Sequence, residues 1–238
     1  MRMAVKHNFK PNIKLMDFIS IDVETANPDF SSICQIGLVE FKGGVISESW
    51  QRLVDPEDFF DPVNVSIHGI GETDVVGAPK FPEIHNELTN ALNNKIVVCH
   101  THFDRVALSR VVEKYNLKNP ACTWLDSAKV VRRTWEEFSQ RGYGLKNVAS
   151  YLGIEFKHHD ALEDARAAGE IMVNAIQKSN LAIEEWTDRV KRPISGYSSS
   201  TISMDGNPDG ALYGEVIVFT GALSIPRKEA AKIAAQAG

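Results

Sequence analysis

Two carboxylates at a spacing of two residues are the first side chains in this chain that suit metal chemistry. They are Asp22 and Glu24, within Phe18-Ile19-Ser20-Ile21-Asp22-Val23-Glu24-Thr25. That stretch predicts a β-strand, because β-branched and aromatic residues dominate it and its polarity alternates. Both carboxylates then project from one face, with their Cα atoms roughly 6.5 Å apart, and both can reach one divalent ion. An edge strand that turns two acids to solvent would show the same pattern.

A third acid, Asp104, follows one predicted strand and begins a predicted helix. In that place it can face the crevice at the ends of the strands. An acid in the first turn of a helix also interacts favourably with the helix dipole, so a structural role explains it equally well. Asp104 alone therefore does not indicate a functional site, and its role depends on the other candidate residues.

The last candidates surround a predicted helix start. Asp160 is a good N-cap, and Glu163 three residues later completes a capping-box pattern, so both are predicted to be structural. His159 then lies in the preceding loop and Asp164 in the second turn, which allows both side chains to face one site. His158 is predicted to be a hydrogen-bonded or solvated loop residue.

The order of the elements predicts an α/β fold. Three strands joined by short turns come first and run antiparallel, at Phe18–Thr25, Ile33–Phe41 and Val45–Val54. Strands at Lys95–Cys99 and Thr123–Leu125 then alternate with helices, which gives one mixed sheet flanked by helices. The predicted helices are Phe81–Leu92, Phe103–Tyr115, Ser127–Trp135, Leu145–Leu152, Asp160–Gln177 and Ala182–Val190.

Composition excludes several classes of protein. The 238 residues are 43% hydrophobic and 24% charged, with no apolar run near the roughly 18 residues that span a bilayer and no secretory signal. We therefore expect a cytoplasmic protein without a membrane partner, associated with the nucleoid in a bacterium. Three cysteines in apolar runs predict buried thiols rather than disulfides or a zinc site.

The net charge of −5 is unusual for a nucleic-acid-binding protein, although bound Mg²⁺ would neutralise several of the acids. Nine basic residues between Arg105 and Lys146 are grouped in the sequence. They form either a groove for a phosphate backbone or a solvated basic face.

The ordered set of Asp22, Glu24, Asp104, His159 and Asp164 resembles that of the DEDDh 3′–5′ exonucleases. Specifically, it is similar to the epsilon (proofreading) subunit of bacterial DNA polymerase III. The resemblance implies a ribonuclease H-like fold with a five-stranded mixed sheet, and a phosphodiesterase that uses two metal ions. The matching stretches are Phe18–Thr25, Ile33–Val39, Ile67–Ile70, Phe103-Asp104, Leu145–Gly153 and His159–Ala165.

By this resemblance, Asp22, Glu24, Asp104 and Asp164 share the two ions, and Asp22 bridges them. Carboxylate ligands favour Mg²⁺ or Mn²⁺ over zinc. Two such ions stabilise the attacking and leaving oxygens of a displacement at phosphorus. His159 has the ordinary pKa of a general base that works near neutral pH.

The resemblance also implies that Thr25 and His68 hold the substrate's 3′-terminal nucleotide. His100 and Phe103 are further substrate-binding candidates, with His102 as the alternative to His100. The chain departs from many relatives in two places. The segment Cys99-His100-Thr101-His102 replaces their His-Asn, and Gly71 stands where they often have Thr. Neither change removes a member of the five-residue set.

The C-terminal segment predicts a separate piece. Residues 192–211 are rich in small and polar residues and are predicted to be a linker. A strand at Leu212–Gly221 and a helix at Pro226–Ala237 resemble the beginning of a BRCT domain, which implies a protein or phosphate partner. Residues 212–238 are too few to bury a core, so we expect a longer parent protein. The alternative is a strand and helix added to the main domain.

Two function classes remain. The first is an exonuclease that degrades DNA from the 3′ end, preferring single strands, in replication or repair. The second is a nucleic-acid or protein docking module with little turnover. The intact set of five residues favours the enzyme, and RNA is the rival substrate because contacts to a 2′-hydroxyl cannot be read from sequence.

Overall fold

The computed structural model describes residues 16–138, 142–194, 204, 206–214, 217–219 and 223–237. The sequence predicts an N-terminal tail at residues 1–15, before the domain predicted at residues 16–191, and that tail lies outside these ranges. The chain divides into two units, residues 1–192 and 193–238. No helix among the described residues combines the length and apolar composition needed to cross a bilayer.

Five strands form one sheet in the first unit. They lie in the order β3-β2-β1-β4-β5. The first three are antiparallel neighbours, while β1, β4 and β5 are parallel. This confirms the predicted five-stranded mixed sheet. The strands are β1 (Phe18–Thr25), β2 (Ile33–Lys42), β3 (Val45–Leu53), β4 (Ile96–Cys99) and β5 (Thr123–Asp126).

Helices cover both faces of the sheet, as predicted. The alternation of β1 sends Phe18 into one core with α4 to α7, and Ile19 and Ile21 into the other with α2 and α3. The helices of the first unit are α1 (Pro62–His68), α2 (Phe81–Leu92), α3 (Phe103–Lys114), α4 (Ser127–Thr134), α5 (Leu145–Leu152), α6 (Ala161–Ser179) and α7 (Ile183–Arg189). Two cysteines, Cys34 and Cys99, are buried and Cys122 is partly buried, all as free thiols.

Two glycines let α6 lie close to the sheet. A Cβ atom at Gly37 in β2 would stand 2.3 Å from the carbonyl of Ala161, at the start of the helix. Farther along α6, a Cβ atom at Gly169 would overlap the ring of Phe41. Both positions require the absence of a side chain, so they fix the distance between the sheet and the helix.

Helix α1 was not predicted, because its apolar residues face solvent and give no periodic signal. Asp61 caps it by accepting a hydrogen bond from Val63 N, and Pro62 is its first residue. Gly69, in the left-handed conformation, ends it. No residue of α1 is buried.

The second unit confirms the predicted helix but not the predicted strand. Helix α8 (Arg227–Ala237) begins directly after Pro226. Residues 211–214 form turns, and residues 217–219 form no strand. A strand needs a neighbour for its backbone groups, and the described residues of this unit contain no second strand, so residues 212–214 and 217–219 do not form one. Instead, the amide of Leu212 donates to the carbonyl of Ala237 at the end of α8. The rest of the predicted strand, residues 215, 216, 220 and 221, lies outside the described residues.

Candidate active site

Strand β1 carries Asp22 and Glu24 on the face that α6 covers. Asp22 lies opposite Gly37 in the antiparallel register of β1 and β2. Because Gly37 has no side chain, the first turns of α6 approach the sheet at this point and bring Asp164 to it. The predicted projection of both β1 acids from one face, and their meeting with the α6 acid, follow from this packing.

Three carboxylates meet at this place. Oxygen atoms of Asp22, Glu24 and Asp164 lie within 4.8 Å of one another. Asp164 is 4% exposed, and the two acids of β1 are partly buried. Oxygen ligands so close together, in a site that is partly shielded from water, fit a hard divalent cation.

Asp104 joins the group from the other side of β1. Its Oδ1 accepts a hydrogen bond of 3.1 Å from the backbone N of Val23, and its side chain is buried. The parallel pairing of β1 with β4 runs over Ile19 and Ser20. The amide of Val23 lies past that pairing, so the carboxylate of Asp104 takes the place of a strand neighbour.

The four acids destabilise one another as anions. Burial, and then the charges of Asp104 and Asp164, raise the pKa of Asp22 well above its usual value. Burial also raises the pKa of Glu24 to about 8, that of Asp104 to about 7 and that of Asp164 to about 6. Such a set is stable as four anions when cations neutralise it, so these residues fit a metal centre.

Two histidines flank Asp164. The backbone N of His159 donates to Asp164 Oδ2 at 3.2 Å, and the positive φ of 67° at His159 permits this return of the chain. The ring atom Nδ1 of His158 lies 3.0 Å from the same oxygen. The two imidazole rings stack with centroids 3.8 Å apart. His158, which was predicted to be an ordinary loop residue, therefore contacts a member of the acidic group.

Polar contacts from the sheet hold the start of α6. Asp160 is its N-cap, as predicted, and also accepts a hydrogen bond of 3.0 Å from Gln51 Nε2 in β3. The amide of Ala161 donates to Gln35 Oε1 in β2 at 2.9 Å. These two glutamines position the segment that carries His159 and Asp164.

The predicted capping box at this helix is wrong. Glu163 Oε2 accepts a hydrogen bond of 2.7 Å from Arg166 Nη2 rather than from the backbone of Asp160. The arginine lies one turn along α6, so the pair satisfies the carboxylate on the helix surface. Asp160 caps the helix by its own bonds to the amides of Leu162 and Glu163.

Thr25 and His68 meet at the end of β1. Nδ1 of His68 accepts a hydrogen bond from the amide of Ile70, so Nε2 carries the proton and donates to the carbonyl of Thr25 at 3.2 Å. Asn64 donates to the same carbonyl at 2.8 Å. The β1–β2 register shifts between Glu24 and Thr25, which aims this end of the strand at α1.

His100 lies deeper than the other candidates. Its Nε2 donates to the carbonyl of Tyr143 at 2.7 Å, and its Nδ1 lies 2.8 Å from the hydroxyl of Ser127. Both ring nitrogens are thus bonded within the protein. Phe103, at the start of α3, packs its ring edge-on against Phe30 with centroids 4.9 Å apart.

A protein-family model identifies the family of the domain that carries these residues. The model described as Exonuclease (RNase_T) matches residues 19–172, which include all five members of the set. The chain belongs to the exonuclease family. Its first unit contains the exonuclease domain that the sequence predicted.

Curated relatives agree with this assignment. The exonuclease is 27% identical over 165 residues to the DNA polymerase III subunit epsilon of Aquifex aeolicus, a match that covers 68% of this chain and 81% of that protein. It is 26% identical over 164 residues to the PolC-type DNA polymerase III of Thermotoga maritima, covering 67% of this chain and 12% of that protein. The chain therefore spans a small part of the PolC-type relatives.

The match to a third curated relative is longer. RNA exonuclease 4 of Cryptococcus neoformans is 25% identical over 202 residues, which cover 82% of this chain and 45% of that protein.

Solved structures confirm the predicted ribonuclease H-like fold. Exonuclease X, in complex with 5′-overhanging duplex DNA, superimposes with a TM-score of 0.59 at 22% identity, over 72% of this exonuclease and 98% of that chain. The nuclease domain of 3′hExo, a DEDDh family member bound to rAMP, gives a TM-score of 0.57 at 19% identity, over 68% and 92%.

Sequence reasoning missed the residues that position the site. Gly37, Gln35, Gln51 and Asn64 received no role. Only Gly37 carried a local signal, because a glycine inside a strand often marks a close approach of another backbone. The partner of Gln35 lies 126 residues away along the chain, beyond the reach of any periodic pattern.

Proposed function

We propose that this chain hydrolyses phosphodiester bonds from the 3′ end of DNA, with two divalent cations, in the cytoplasm. The observation that carries the proposal is the convergence of Asp22, Glu24 and Asp164, with Asp104 on Val23, beside His159. An acidic group that gathers residues from β1, α3 and α6 costs stability without cations, which argues for a metal-dependent reaction rather than a docking role.

Asp22, Glu24, Asp104 and Asp164 would hold the two ions. Oxygen donors select Mg²⁺ or Mn²⁺. When bound, these ions stabilise the attacking and leaving oxygens of an in-line displacement at phosphorus. The chain itself supplies the negative charge that holds them and the fixed α6 geometry.

His159 acts as the general base. Burial is the largest cause that lowers the pKa of His159, so its imidazole is neutral at pH 7 and can accept a proton from water. Its backbone is bonded to Asp164, which keeps the base beside a metal ligand. His159 thus takes the proton of the attacking water at the acidic group.

Thr25, His68 and Phe103 receive the 3′-terminal nucleotide. Thr25 follows Glu24 in β1, and His68 donates a hydrogen bond to the Thr25 carbonyl. For His100 we propose a positioning role, since its bonds to Ser127 and Tyr143 connect the β4–α3 loop to the first residue of α4 and to the segment before α5.

DNA is the favoured substrate because the epsilon subunit, of which the chain spans 81%, is a component of a DNA polymerase. A role in replication or repair follows from that relative. RNA is the second candidate, favoured by the match over 202 residues to an RNA exonuclease. The BRCT-like segment would recruit a protein or phosphate partner.

Digestion of oligonucleotides with a label at the 5′ end tests the proposal. With Mg²⁺, single-stranded DNA should give a ladder that shortens from the 3′ end, faster than RNA of the same sequence. Asp22→Ala should lower the rate by at least about 100-fold, since it removes a metal ligand. Glu87→Gln, an exposed acid on α2, is the matched control. No ladder with Mg²⁺ or Mn²⁺ from folded protein that binds the oligonucleotide would support the docking module instead.

A further inference from the structure

Asp164 faces two different sets of donor atoms. One set consists of the oxygens of Asp22 and Glu24, and the other of the ring nitrogens of His158 and His159. Ligand atoms of His158, His159 and Asp164 also lie within 4.8 Å of one another. The proposed mechanism uses His159 as a base and gives no role to His158.

The second set has the chemistry of a zinc site. Two donors of one tetrahedral Zn²⁺ ion stand roughly 3.3 Å apart, given metal–ligand distances of about 2.0–2.2 Å. Nδ1 of His158 lies 3.0 Å and 3.2 Å from the two oxygens of Asp164. The imidazole rings of His158 and His159 are stacked at 20° to each other, so one ring must turn out of the stack before nitrogens of both rings face one ion.

We infer that His158, His159 and Asp164 form a Zn²⁺ site whose occupation inhibits the exonuclease. Imidazole nitrogens favour Zn²⁺, whereas Mg²⁺ prefers the all-oxygen set. An ion held by these three side chains would take Asp164 from the catalytic metals and occupy the nitrogen of the base. The inhibition rests on the proposed function, but the binding of Zn²⁺ does not.

A change at His158 distinguishes the inferred zinc site from the acidic group. His158 belongs to the nitrogen set alone, while Asp164 is common to both sets. Its side chain is 29% exposed, so an ion can reach it from solvent. A variant at His158 therefore tests the inferred site without removing a carboxylate.

Zn²⁺ affinity is measured on the whole chain by competition with a chromophoric chelator, in excess Mg²⁺ to fill the oxygen set. His158→Asn should weaken Zn²⁺ binding by at least about 10-fold, because even outer-shell changes have effects of this order. His158→Cys should restore it, because a thiolate is a zinc ligand. Lys157→Met, a neighbouring exposed residue, is the control and should bind as the wild type does.

Equal affinity in the wild type and His158→Asn would overturn the inference, because the ion would then sit on the carboxylates. Circular dichroism checks the fold of each variant. If His158→Asn does not fold, Co²⁺ bound to the wild type decides. Intense visible absorption of a four-coordinate site supports the inference, and the weak absorption of a six-coordinate oxygen site overturns it.

The functional arm compares the Zn²⁺ concentration that halves Mg²⁺-supported digestion, with each variant normalised to its own zinc-free rate. His158→Asn should require at least about 10-fold more Zn²⁺. An unchanged concentration would overturn the inhibitory role. If the chain shows no digestion at all, the proposed function fails, while the binding measurement still decides on the zinc site.

Discussion

The two sides of the active site are built differently. On the α6 side, Gly37 admits the helix, and Gln35 and Gln51 fasten its first residues to the sheet. On the α1 side, a short helix without buried residues is held to β1 through Asn64 and His68. The part proposed to hold metals is therefore fixed by core packing, and the part proposed to hold the nucleotide is fixed by a few polar bonds.

The largest expected effect is that of Gly37→Val. Its side chain would overlap the backbone of Ala161 and push α6 away from Asp22. We expect a loss of about 3 kcal/mol or more in the free energy of unfolding, together with loss of Mg²⁺-dependent activity. Urea denaturation and the digestion assay measure both. Gly71→Ala is the control, since the nearest atom to its Cβ would be 3.8 Å away, and equal stability of the two variants would refute the packing argument.

The next largest expected effect is the dependence of the metal-free protein's stability on pH. Each acid of the group has a raised pKa in the folded chain, about 8 for Glu24 and about 7 for Asp104, so the folded state binds more protons than the unfolded state between pH 4 and pH 8. Metal-free stability is therefore highest near pH 4 from this source and falls as pH rises through that range. We expect a loss on the order of a few kcal/mol.

Urea midpoints in EDTA and in Mg²⁺, at pH 5 and pH 8, measure this effect. Mg²⁺ should restore stability chiefly at pH 8, where the acids are ionised. A variant with Asp104→Asn should show a smaller difference between the two pH values. Identical pH dependence with and without Mg²⁺ would contradict the metal centre.

A smaller effect is expected from Gln35→Leu. It leaves the buried amide of Ala161 without its acceptor, which costs about 1–3 kcal/mol. Since α6 then loses a point of attachment beside His159 and Asp164, kcat should fall more than KM rises. Steady-state kinetics separates the two. Gln51→Leu is the milder companion, because Asp160 keeps its bonds to Leu162 and Glu163.

The smallest effect on stability is that of Asn64→Ala, about 1 kcal/mol, since its hydrogen bonds to Thr25 are only partly buried. If the α1 side binds the terminal nucleotide, KM should rise several-fold while the Mg²⁺ dependence stays unchanged. A fall in kcat at constant KM would show that the two sides are not separate in function.

The sequence predicted the chemical residues better than the residues that place them. Asp22, Glu24 and Asp164 stand at strand ends and helix starts, and local periodicity and capping locate such positions. Gln35 could not be assigned, because its role depends on a partner brought near by the folding of the whole sheet. Helix α1 escaped prediction for a different reason: it has no buried residues, so its sequence has no apolar periodicity.

The strand predicted at Leu212–Gly221 is absent at those of its positions that the structure describes. Its alternating apolar residues match those of β1 in kind. Strand β1, however, has β2 and β4 as neighbours, and the described residues of the second unit offer no such partner. An alternating apolar pattern shows that a segment favours the strand conformation, but the segment forms a strand only when it pairs with a neighbouring strand. Its BRCT-like character stays a prediction.

The bond between Asp104 and the amide of Val23 has a wider consequence. Where β1 and β4 cease to pair, the sheet forks, and an acid from the following helix bridges the gap. A continuous ladder would fill that gap with backbone and leave no room for side chains from both arms. The proposed hydrolysis therefore depends on a gap in the pairing between β1 and β4. Two more paired residues would close the site without altering any of its five side chains.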